Sequence, residues 1–168
     1  MEEFLALLRQ HEIAILADVR SFPSSRRWPH FNQNELQRSA ELEGIEYQWL
    51  KSLGGRRHSK NKESLHTAWE LPAFRSYADY TGSDDFKIGI EELCALAERD
   101  RTACMCSEGL WWRCHRRIIS DHLMLRGWTV MHVMPNGKLS EHALPVFARV
   151  VEGSIVYDSD SPSLKGRG

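Results

Sequence analysis

Apolar residues along the chain follow two periods, and each predicts a different element. Phe4, Leu5, Leu7 and Leu8 share one helical face, which predicts a helix over roughly 2–11. Ile13-Ala14-Ile15-Leu16-Ala17 is a continuous apolar run of strand length, as expected of a parallel strand buried on both faces. It ends abruptly in Asp18-Val19-Arg20. Pro23, Pro29 and paired serines then make 21–33 a long loop. A helix follows near 34–43, with Asn32 or Asn34 as its cap and Gly44 as its stop. Ile45-Glu46-Tyr47-Gln48-Trp49-Leu50 alternates and predicts a second strand.

Downstream, Pro72 opens a short helix through Tyr80. Ser83-Asp84-Asp85 supplies an N-cap and first-turn acids for a longer helix ending near Arg99. Thr102-Ala103-Cys104-Met105-Cys106 reads as a buried strand. A helix from about Arg113 to Arg126 follows, stopped by Gly127, and Trp128–Met134 predicts one more strand. Pro135-Asn136-Gly137-Lys138 is a turn, and 139–157 has no clear pattern. Alternating strands and helices imply an α/β fold, a mostly parallel sheet flanked by helices on both faces, in a single domain. Thr102 to Met134 is expected to be one right-handed β-loop-α-β unit. The domain is placed at 1–150. Residues 151–168 are an extension expected to be flexible at its end.

Composition changes this picture little. A chain of 168 residues, 42% hydrophobic and 27% charged, buries a core without disulfides or a structural metal. A net charge of −1 gives no global case for nucleic acid or a membrane surface. The start is acidic and unlike a signal peptide, and no apolar run reaches membrane-span length, so a cytoplasmic setting with reduced cysteines is expected. Locally, Lys51, Arg56, Arg57, Lys60 and Lys62 form a basic stretch without an acid, read either as a solvated loop or as an anion-binding flap. Its Gly54-Gly55 pair is read as permitting unusual backbone angles.

Chemistry concentrates where two strands end. Parallel strands put their carboxyl ends on one edge, where ligands of open α/β sheets bind. One strand ends in Asp18 and Arg20. The other ends in Cys106-Ser107-Glu108, followed by Arg113-Cys114-His115-Arg116 at a helix start. Cations in a first helical turn are unfavourable unless an anion or the carboxylates of Asp18 and Glu108 sit among them. An ion pair of Asp18 with Arg116 is the purely structural alternative. Catalytic candidates are therefore Cys106, Glu108, Cys114, His115 and Asp18, with Arg20, Arg56, Arg113 and Arg116 as anion-binding candidates. Trp28, Trp111 and Trp112 are candidates for stacking on a base or ring, or else for covering the core. Six residues separate Cys106 from Arg113, whereas the cysteine-phosphatase loop leaves five and prefers small residues, so that match is poor. No C-x-x-C pair is present, and neighbouring Cys114 and His115 are expected to diverge on a helix. No metal ligand is assigned on that basis, and no cofactor is implied.

In this order, Asp18-Val19-Arg20, Pro23, Arg26-Arg27, Phe31-Asn32, Leu53-Gly54-Gly55-Arg56, Phe74–Tyr80, Cys106-Ser107-Glu108 and Trp112–Arg116 resemble the domain of unknown function 488 family, over about residues 2–150. The resemblance implies an enzyme-like α/β fold and carries over no settled reaction. Members usually begin with a strand ending in a Gly-His-Ser-like segment ahead of the first helix. Here Met1 stands at that helix, so three readings stay open: a misassigned start, a truncated chain, or a pocket that works without that strand, whose absence is expected to expose a neighbouring sheet edge. Trp111 stands where a proline is common. Three function classes stay open: an enzyme acting on a phosphate- or carboxylate-bearing substrate, a non-catalytic nucleic-acid or protein binding module, and a redox or metal-linked cysteine protein.

Overall fold

The computed structural model describes residues 1–59 and 63–158. Three parallel strands form the central sheet: β1 (Ile15–Asp18), β2 (Glu46–Trp49) and β3 (Thr102–Met105), in the order β2-β1-β3. Asp18 is in register with Trp49 on one side and Met105 on the other, so all three carboxyl ends lie on one edge. Helices α1 (Glu2–Gln10) and α2 (Gln33–Leu42) cover one face, sending Leu5, Leu8, Leu36 and Ala40 against Leu16, Tyr47 and Met105. Helices α3 (Pro72–Tyr80), α4 (Asp84–Arg99) and α5 (Arg116–Leu125) cover the other. There Tyr77, Ile90, Leu93, Ile118 and Ile119 pack with Ala17 and Val19. Burying each Ile or Leu contributes about 1.5–3 kcal/mol.

Several helix signals are used as expected. Pro72 sits in the first turn of α3. The Ser83 hydroxyl accepts the Phe86 N–H at the start of α4. Gly44 (φ +74°) and Gly127 (φ +86°) end α2 and α5 in the left-handed region that favours glycine.

The expectation of a parallel sheet flanked by helices holds for the central sheet, and the remaining strands form small antiparallel pairs. Strand β4 (Met131–Val133) never joins the central sheet, so Thr102–Met134 is not a β-α-β unit. It pairs antiparallel with β5 (Leu139–Glu141) across the Pro135–Lys138 turn, with Gly137 at φ +76°. Strands β6 (Ala148–Val151) and β7 (Ser154–Tyr157) form a second antiparallel pair. The hairpin crosses position 150, and Ile155 and Tyr157 are buried in the core. The tail beyond 158, expected to be flexible, lies outside the described residues, as do Lys60 and Lys62. Among the described residues no helix is long and apolar enough to cross a membrane.

Candidate functional site

Alternation along β1 divides the expected pocket in two. Asp18 shares the face of Leu16, toward α1 and α2, whereas Val19, Cys104 and Cys106 face α4 and α5. Asp18 and Arg20 are consequently sealed into their own network. The Arg20 Nε donates to both Asp18 carboxylate oxygens at 2.9 and 3.0 Å, and Nη2 to Oδ2 at 2.5 Å. Tyr47 donates its hydroxyl to Oδ2 at 2.6 Å, and the Arg20 Nη1 donates to the Phe31 carbonyl at 2.7 Å. The two side chains are 0% and 5% exposed. This corrects two expectations: Asp18 pairs with Arg20 and not with Arg116, and neither opens onto the site.

On the opposite face three reactive groups do converge. Cys106 follows the tip of β3. Cys114, in extended conformation after a 3-10 turn over Trp111–Arg113, and His115, the N-cap of α5, precede the helix instead of lying on it. They therefore converge, against the expectation that they diverge. The His115 Nδ1 lies 3.4 Å from the Cys114 Sγ and 3.9 Å from the Cys106 Sγ. All three atoms are within 4.8 Å of one another. On the far side of the ring, Nε2–H donates to the Val19 carbonyl at 2.9 Å. A carbonyl only accepts, so this bond places the proton on Nε2 and turns the Nδ1 lone pair toward the sulfurs.

The surroundings hold the ring in place. Tyr77 meets it edge-on, with centroids 5.0 Å apart, and is itself fixed by donating to the Leu53 carbonyl at 2.7 Å. Gly55 lies directly against the imidazole, where a Cβ would stand 2.4 Å from Nδ1. That glycine is required by close approach rather than by backbone angle, since the left-handed region holds neither Gly54 nor Gly55. Arg57 braces the same loop by donating to the carbonyls of Gly54 and Ser52 at 2.9 and 2.8 Å.

The two thiols are shifted in opposite directions. The Cys106 thiol is pulled far below the usual thiol range, first by the hydrogen bond from Cys114, then by His115 and the Glu108 backbone, against burial. Cys114 is pushed up, as donor of that bond and by burial. Burial also pushes Cys104 up to about 12, and Cys94 upward.

The remaining candidates lie outside this cluster. Glu108 is exposed, and its carbonyl accepts a bond from the Arg116 Nη2. The Arg116 Nε is buried without a partner among the described residues. Arg113 and Arg56 are exposed, the latter over the Phe22 ring. Arg117 turns away onto Trp69 and Phe147. Trp28 and Trp112 are exposed, but Trp111 is stacked flat on His132 at 4.0 Å and offers no free face there. Beneath it runs a buried relay that the sequence pattern did not reveal. Asp121 accepts from the Tyr157 hydroxyl and the His142 Nε2–H, each at 2.7 Å, and the His132 Nε2–H donates to the His142 Nδ1 at 3.0 Å. The one available signal was Ser120-Asp121-His122 inside an otherwise apolar helical run.

Residues 1–123 match the family described as Domain of unknown function DUF488. The chain belongs to this family. Within the DUF488 match lie all three sheet strands and the whole Cys106–Arg116 segment, whereas His132, His142 and Tyr157 fall beyond it. No curated protein and no solved structure matches the chain.

Proposed function

We propose that this DUF488 protein is an enzyme with its reaction centre at Cys106, Cys114 and His115, acting on a substrate that carries a negatively charged group. The observation that carries the reading is the convergence of two sulfurs on the one free lone pair of an imidazole whose other nitrogen is tied to the Val19 carbonyl. Cys106 is the nucleophile, being the less enclosed of the two thiols. It reacts as the thiolate, with the His115 Nδ1 facing its sulfur and the Cys114 thiol donating to it. Arg113, Arg116 and, from the loop lying over His115, Arg56 hold the anion, and exposed Glu108 serves as proton carrier. A phosphate-bearing molecule such as a nucleotide suits this set, with the Trp112 ring available for stacking. Free thiols in such a centre fit a reducing, cytoplasmic setting.

The test is site-resolved alkylation with iodoacetamide, read by peptide mass spectrometry on the reduced chain. Cys106 is expected to react first among the four cysteines. Inorganic phosphate should slow that reaction, and Arg116→Ala should remove the protection while leaving the circular dichroism unchanged. Equal reaction of Cys106 and Cys94, with no effect of phosphate, would overturn the proposal. Salt-dependent oligonucleotide binding that survives Cys106→Ser would instead favour a binding module.

A further inference from the structure

We infer that Cys106 Sγ, Cys114 Sγ and His115 Nδ1 are three ligands of one four-coordinate, soft divalent metal of the zinc class. The three ligand atoms lie within 4.8 Å of one another. Three such atoms crowd together at low cost only when protons or a cation lie between them. Zn–S bonds of about 2.3 Å and Zn–N bonds of about 2.0 Å in a tetrahedron set S···N separations of about 3.5 Å. The two S···N distances found, 3.4 and 3.9 Å, bracket that value.

The outer shell is also that of a metal site. A ligating histidine almost always donates its second ring nitrogen to a carbonyl or carboxylate, which fixes its tautomer and aims the other nitrogen. Val19 supplies that carbonyl from the tip of β1. The ligands come from the end of β3 and the entry to α5, and Gly55 and Tyr77 keep the ring from turning. Two sulfurs and an imidazole select a soft or borderline cation, and no carboxylate stands in the cluster to favour magnesium or calcium. Two thiolates neutralise a divalent charge. Cys114 is buried while Cys106 and His115 are partly open, so the fourth position faces the accessible side, where water or a substrate atom completes the tetrahedron.

This inference rests on the same cluster as the proposed reaction centre and adds a form of control. A bound metal draws charge from the Cys106 sulfur and covers its approach. A bound metal therefore masks the nucleophile, and removing it restores reactivity.

The experiment titrates the reduced, metal-free full chain with Zn²⁺ against a chromophoric chelator, and with Co²⁺ as a spectroscopic probe. One equivalent of each should bind. Co²⁺ should give the intense red-region bands of a tetrahedral site and a sulfur-to-cobalt charge-transfer absorption. Cys114→Ser and His115→Ala should each weaken Zn²⁺ binding by about 10–100-fold or more, with circular dichroism reporting that they fold. Cys94→Ser and Cys104→Ser should bind as the parent does. Zn²⁺ should slow alkylation of Cys106, and a chelator should reverse this. Absence of one-to-one binding, cobalt spectra without the charge-transfer band, or binding unchanged in Cys106→Ser/Cys114→Ser would overturn the inference. The two proposals fail separately. Fast, phosphate-sensitive alkylation of Cys106 without metal binding removes only the metal, whereas metal binding with no effect of phosphate removes only the anion-directed enzyme.

Discussion

Replacing Asp18 by asparagine separates a structural charge pair from a catalytic one. The substitution keeps the shape of the side chain, and the Tyr47 hydroxyl can still donate to the amide oxygen. What disappears is the negative charge facing the Arg20 guanidinium, both side chains being almost wholly buried. Removing one member of a buried ion pair costs about 3–5 kcal/mol, because the other is left uncompensated in a low-dielectric interior. Domains of this size are stable by only about 5–15 kcal/mol. At about 2–4 °C per kcal/mol, Tm should fall by about 6–20 °C. Urea unfolding followed by tryptophan fluorescence measures the loss. Asp18→Leu/Arg20→Met, which removes both charges, should recover most of it. Below the melting range, Cys106 in Asp18→Asn should alkylate at the parent rate. A variant of parental stability whose Cys106 no longer reacts would refute the argument and return Asp18 to the site.

Gly55→Ala should displace His115, costing about 1–3 kcal/mol and slowing Cys106 alkylation, whereas Gly109→Ala, with nothing within 4 Å of its added Cβ, should do neither. Tyr157→Phe should cost about 1–3 kcal/mol by depriving the buried Asp121 carboxylate of a donor, read from the urea midpoint. His122 and His132 are each lowered to about 4, chiefly by burial, so the folded state keeps them neutral where the unfolded chain takes up protons. Stability is then full above about pH 6.5 and is lost as pH falls toward 4, by about 2 kcal/mol per ring at about pH 5. Equal urea midpoints at about pH 7 and pH 5 would contradict this.

Local signals carried most of the elements. Pro72 and Ser83 mark helix starts whatever surrounds them, and the sheet register brought the tips after Ala17 and Met105 side by side, as the apolar runs implied. Two features were less legible. A run buried on both faces gives no sign of which helices cover which side, so the parity separating Asp18 from Val19 stayed hidden. The partner of β4 is a tertiary outcome, although Asn136-Gly137 is itself a hairpin signal that points to antiparallel pairing with the next strand in the chain. The Val19 carbonyl, which orients His115, has no side-chain signature at all. The convergence of Cys114 and His115 depended on α5 starting at Arg116 rather than Arg113, a three-residue shift of a boundary that composition does not fix.

The most direct test of a single centre is a double-mutant cycle on the alkylation rate of Cys106, comparing the parent with Cys114→Ser, His115→Gln and their combination. If the three groups act as one, each single change slows Cys106 by about tenfold or more, and the double change adds little beyond either. Rates unmoved by both single changes would mean that the sulfurs and the imidazole are neighbours without a shared chemistry.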